Sequence, residues 1–140
     1  RYGFLDIIEN YGGTPAAKLA TYSAGMSYLN IRDYENAIKY LDRFDSNDIM
    51  LGALAKGAIG DAFANLGQKN EAFDYYVKAF KMSNNNYSAP KYLFKASIIG
   101  SEIGKTSSSI KFLKRIKNEY PDAFEADMVD IHIGRIENIK

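Results

Sequence analysis

Asp33-Tyr34-Glu35-Asn36-Ala37-Ile38-Lys39-Tyr40-Leu41 is answered further along the chain by Lys69-Asn70-Glu71-Ala72-Phe73-Asp74-Tyr75-Tyr76. Each phrase starts about nine residues after a glycine, Gly25 and Gly60, and these glycines lie 35 positions apart. Self-similarity at such a period marks stacked helix pairs, each burying its apolar face only against its neighbours. Arrays of this kind present a long concave surface and commonly bind other molecules instead of transforming them.

Around the two phrases the apolar residues recur at three and four, not at two, as in Ala20, Ala24, Tyr28 and Ala37, Leu41, Phe44. Pro15, Pro90 and Pro121 read as helix starts, because proline is tolerated at the first helical position. Gly12-Gly13, Asp45-Ser46-Asn47-Asp48 and Ser83-Asn84-Asn85-Asn86 read as loops. Gly67 and Gly104 suit the left-handed conformation that follows a helix. The pattern predicts an all-α chain with helices over 1–11, 15–30, 34–44, 49–66, 69–82, 89–103, 107–119 and 122–138. The expected organisation is one domain: a trailing half-repeat over 1–14, repeats over 15–47, 48–86 and 87–121, and a capping helix over 122–140.

Composition narrows the function classes. The 140 residues are 46% apolar and 25% charged, so a packed core is expected. The net charge of +1 gives no overall field toward nucleic acid. Cysteine is absent, which removes disulfides, thiolate metal sites and cysteine nucleophiles. The chain starts at Arg1 and not at Met, as expected of a shortened or processed form, and contains no long apolar run. Membrane attachment is therefore expected only through an upstream segment.

The repeat has a positional signature. Small residues fall at Gly25, Gly60 and Ser97 on the first helices, and at Ala37, Ala72 and Ser109 on the second. Aromatics stand at Tyr28 and Phe63, turn glycines at Gly67 and Gly104, and large residues at Leu41, Tyr76 and Leu113. Ala79 and Pro121 complete the pattern. The departures are Phe44 and Ile116 at a small position, Arg32 where a turn glycine belongs, and Gly100 where an aromatic belongs. This signature resembles the tetratricopeptide repeat, a helix–turn–helix unit of about 34 residues. The resemblance implies a helical solenoid of antiparallel pairs.

In that family the first helix of each unit lines the concave side. The resemblance therefore implies a groove built from Leu19, Tyr22, Met26 and Leu29, from Leu54, Gly57, Asp61 and Ala64, and from Lys91, Phe94, Ile98 and Ser101. Tyr22, Met26, Leu29, Phe94 and Ile98 would form an exposed apolar stripe large enough to mark an interaction site. The stripe could instead be covered by the cap, by an upstream helix or by a second copy of the chain. The groove lacks the Lys and Asn set with which chaperone-tail binders of this family hold a terminal carboxylate. The implied role is a non-enzymatic scaffold for a protein or peptide. The alternative is a structural subunit that uses its apolar face for homo-oligomerisation or for assembly into a membrane complex.

A narrower resemblance rests on Gly3-Phe4-Leu5-Asp6-Ile7-Ile8, Tyr34-Glu35-Asn36-Ala37-Ile38-Lys39-Tyr40-Leu41, Gly57-Ala58-Ile59-Gly60-Asp61-Ala62 and Ile116-Lys117-Asn118-Glu119-Tyr120-Pro121. These stretches are similar to bacterial envelope repeat proteins related to a translocon-associated chaperone. That resemblance implies an upstream inner-membrane anchor with the repeats facing the periplasm; a cytoplasmic chain is the alternative.

No catalytic, cofactor or metal set is expected. Gly100-Ser101-Glu102-Ile103-Gly104-Lys105-Thr106 approaches a phosphate-binding loop, but the glycine spacing is one residue short. His132 is the lone histidine, without the convergent partners that metal or triad chemistry needs. Glu125, Asp127 and Asp130 read as a solvated face. Lys111, Lys114, Arg115 and Lys117 read as an outer basic face, with an acidic partner or lipid headgroup as the functional alternative.

Overall fold

The computed structural model describes residues 2–45, 47–83 and 85–138. In them the chain is an all-α tetratricopeptide-type helical repeat. The helices are α1 (Tyr2–Asn10), α2 (Pro15–Asn30), α3 (Tyr34–Arg43), α4 (Ile49–Asn65), α5 (Lys69–Met82), α6 (Ser88–Glu102), α7 (Thr106–Glu119) and α8 (Val129–Glu137), with a 3-10 turn at Phe124–Met128 before the last. Each helix packs on its neighbour in the chain, and α4 also touches both α2 and α6. The first helices of successive pairs thus form one continuous inner layer.

Local chemistry sets the starts. The Thr14 hydroxyl accepts from the Ala17 amide at 3.1 Å, with Pro15 at the first helical position of α2. Asp33 and Asp48 accept from Asn36 and Leu51 in the same way, at 3.4 and 3.0 Å. Each such cap satisfies an orphan amide and stabilises its helix by about 1 kcal/mol. Asn85 does this for α6, accepting from the amides of Tyr87 and Ser88 at 2.9 and 2.7 Å.

Close approach within the pairs follows the small-against-large pattern. A Cβ on Gly25 would lie 2.5 Å from Leu41 Cγ, and one on Gly60 would lie 2.7 Å from Tyr76 Cδ1. In the third pair Gly100 takes over: its Cβ would meet Ser109 Oγ at 2.6 Å and Phe73 at 2.9 Å. The aromatic missing at position 100 is thus replaced by Phe73, donated from the preceding pair. Ser109 is fully buried, and its Oγ has no hydrogen-bond partner among the described residues.

Two apolar clusters result. The smaller joins Ala37 and Leu41 of α3 to Ala55, Ala58 and Ile59 of α4. The larger runs from α5 to α8 and includes Phe73, Tyr76, Tyr92, Leu93, Leu113 and Val129.

One expected element is different. The segment after Pro121 is not a single helix over 122–138. Ala123 is extended, with φ −72° and ψ 149°, and the 3-10 turn intervenes before α8 starts at Val129. Pro121 closes the α7 turn and starts no helix. The expected helix and cap ends at residues 1, 139 and 140 lie outside the described residues.

Candidate protein-binding groove

The inner layer of α2, α4 and α6 carries the expected groove residues, but it uses most of them twice. Tyr22, Met26 and Leu29 of α2 are half-buried against the Ala55–Ala58–Ile59 cluster of α4. Leu54 and Phe94 pack in the same way against the larger cluster. The Tyr22 ring lies 5.2 Å from Phe44, and the Phe94 ring meets His132 of α8 edge-on at 5.0 Å. Ile98 and Lys91 are also half-buried. Of the nine residues Leu19, Tyr22, Met26, Leu29, Leu54, Asp61, Lys91, Phe94 and Ile98, only Leu19 is fully exposed, at 53%. Of the two readings left open, an exposed stripe and a covered one, the packing favours partial cover. Neighbouring helices cover most of each of the other side chains, and α8 packs on Phe94. Gly57 is buried beneath the Tyr92 ring, which fills the groove floor there.

What stays accessible is a groove with apolar edges and a polar centre. Asp61 accepts from Tyr76 Oη at 2.6 Å and from Lys95 Nζ at 2.8 Å. This links α4, α5 and α6 through one carboxylate. Burial, and then the neighbouring Asp61 charge, push the Tyr76 phenol well above its ordinary range. Tyr92, stacked 6.3 Å from Tyr76, is raised mainly by burial too. The Tyr76 hydroxyl therefore donates to Asp61 as a neutral phenol. Lys91 Nζ lies 5.3 Å from the Tyr87 ring and 5.5 Å from Tyr92.

A pocket opens at the turn end of this groove, walled by Leu29 and floored by Asp61, Tyr76 and Lys95, with Arg32 and Asn65 at its mouth. Leu29, Asp61 and Ala64, which also lines it, belong to the expected groove; Arg32, Asn65, Tyr76 and Lys95 do not. Arg32 did carry a signal, since it occupies a turn-glycine position. Tyr76 was marked only as a packing residue and Lys95 not at all, because their roles here depend on meeting Asp61 from other helices.

The family model of the tetratricopeptide repeat matches residues 20–47 and 53–86, which run from within α2 past α3 and from within α4 past α5. Over those two segments, 62 of the 140 residues, the chain is similar to tetratricopeptide repeats. Such repeats generally mediate protein–protein interaction and typically serve as non-enzymatic scaffolds. No curated protein matches the chain, so the narrower envelope resemblance rests on the quoted motifs alone.

The repeat geometry accounts for the remaining motifs. Gly100–Thr106 is the end of α6, a turn with Gly104 at φ 83°, and the start of α7. Lys105 Nζ lies 5.4 Å from the Phe73 ring. His132 is held below its ordinary pKa by burial and by Arg135. Asp130 pairs with Lys117 at 2.9 Å, tying α8 to α7, and Arg115 pairs with Glu119 at 3.1 Å. Lys111 and Lys114 are exposed on the outer side. Among the described residues no cluster of three His, Asp or Glu side chains could hold a metal, and no helix is long and apolar enough to cross a membrane.

Proposed function

We infer that this domain is a non-enzymatic scaffold that binds a protein or peptide segment along its concave groove. The observation that supports the reading is the groove itself: half-buried Tyr22, Met26, Leu29, Leu54, Phe94 and Ile98 share the inner layer with a polar centre at Asp61, Tyr76 and Lys95. An edge that is apolar but already anchored by packing offers contact area at little further cost in side-chain entropy. We divide the array into repeats over 15–47, 48–86 and 87–121, with 1–14 and 122–140 closing its ends. On the quoted motif resemblance, its proposed setting is bacterial envelope protein biogenesis, with the repeats facing the periplasm from an upstream anchor.

The test is selection of peptides from a random display library on the folded domain, followed by titration against variants. Leu19→Glu combined with Leu29→Gln should weaken the selected peptides about tenfold or more while the thermal transition stays cooperative. Unchanged affinity in that folded variant would contradict the groove assignment. Tyr22 and Phe94 are poorer test positions, because their rings pack on Phe44 and His132.

One observation favours a second reading, self-association through the ends. Phe4, Leu5, Ala24, Ser27, Tyr28 and Ile31 line an apolar pocket between α1 and α2. At the other end Phe124 and Ile131 are exposed, at 74% and 60%. Light scattering that shows a monomer at high concentration would remove this reading.

A further inference from the structure

We propose that the pocket at the first turn reads an acidic side chain on the bound segment, with Arg32 as the reading residue. This rests on the groove function proposed above and adds the chemistry of its partner.

Three observations converge on Arg32. First, it is the only non-glycine residue with positive φ among the described residues, at 64°. The equivalent turns hold Gly67 and Gly104 at 78° and 83°. Strain that a glycine would relieve is a pointer to a side chain retained for use. Second, that side chain is exposed at the mouth of a groove pocket and forms no ion pair among the described residues. Third, the other charges of the pocket cancel. Asp61 is matched by Lys95 at 2.8 Å and takes a further hydrogen bond from Tyr76. The pocket is therefore left with one uncompensated cation beside the apolar wall of Leu29.

A guanidinium presents a planar fork that matches a carboxylate in a bidentate way. The apolar wall suits the methylene stem of Glu and a neighbouring apolar residue. A basic partner residue would meet Arg32 and Lys95 as like charges. The partner segment is thus apolar, with at least one acidic residue that docks at the first turn.

The test selects twelve-residue peptides from a random display library on the wild-type domain and on Arg32→Gly. Glycine suits this backbone, so the variant should fold at least as stably as wild type. The wild type should enrich a motif with an acidic residue at one fixed place. Arg32→Gly should enrich the apolar part alone. Replacing the acidic residue by Gln in a selected peptide should weaken wild-type binding by roughly tenfold and leave Arg32→Gly binding unchanged. An apolar motif without an acidic preference on wild type would overturn this proposal and leave the groove function standing. So would the same acidic preference on Arg32→Gly. A selection that enriches nothing would contradict the groove function, and the acidic reading with it.

Discussion

The turn at Arg32 and the turn at Gly67 trace one backbone with two different residues. In the first, the Asp33 amide donates to the Tyr28 carbonyl at 2.9 Å; in the second, the Gln68 amide donates to Phe63 at 2.9 Å. The Arg32 and Gly67 amides reach Leu29 and Ala64 at 3.0 and 3.1 Å. This is the left-handed helix ending in both cases, which glycine adopts without strain and a side chain adopts at a cost of about 1 kcal/mol. The hydrogen bonds therefore dictate the turn, and the residue at its apex is free to be chosen for something else. At Gly67 the choice follows the backbone. At Arg32 it goes against the backbone and places a guanidinium at the groove.

The comparison extends into the helices behind each turn, where the largest effect is expected. Gly60 lies against the buried Tyr76 ring, which Asp61 holds by its hydroxyl. Gly60→Leu should lower stability by about 3 kcal/mol, read as a shift of the urea midpoint, because neither ring nor helix can give way. Retention of the wild-type midpoint would mean that the second pair is packed more loosely than the structure shows.

Exchanging the turn residues gives the next two effects, of opposite sign. Gly67→Arg should destabilise by about 1–2 kcal/mol, since it imports the strain of the first turn without a pocket to serve. Arg32→Gly should stabilise by about 0.5–1 kcal/mol, the strain relief being offset in part by the freer unfolded chain. Thermal melts of the two variants beside wild type check both signs. If Arg32→Gly were destabilising, Arg32 would be a structural residue and the contrast between the turns would vanish.

The smallest effect concerns the third pair, where Ser109 Oγ, close to Gly100, has no partner among the described residues. Ser109→Ala removes a buried, unsatisfied hydroxyl and should raise stability by about 0.5–1 kcal/mol in a denaturant melt. A loss of stability would show that the hydroxyl is satisfied in solution.

Most of the fold was legible in the sequence because its determinants are local or recur at a fixed period. Gly25 against Leu41 and Gly60 against Tyr76 follow from the repeat spacing, and the turn glycines from their places after periodic helices. Pro121 misled, because a proline just beyond a helix and a proline at a helix start look alike until the backbone of Ala123 is known. The groove was half legible. Its inner positions follow from the repeat, but their exposure depends on how far each inner helix settles on the next. For Tyr22, Met26 and Leu29 that is set by the small residues Ala55 and Ala58 on a different helix. The Asp61–Tyr76–Lys95 centre could not be read at all, since it joins three helices whose mutual rotation no local pattern encodes. Arg32 was visible as a departure; its meaning required seeing that its backbone departs from nothing.

The central claim is that partners bind along the inner layer of α2, α4 and α6. Amide chemical shifts of the labelled domain, recorded with a peptide selected on it, test this most directly. Shifts should concentrate around Leu19, Leu29, Arg32, Asp61 and Ile98, with α3, α5 and α7 unmoved on their outer faces. Shifts centred on the outer faces, around Lys111 and Lys114, would contradict it.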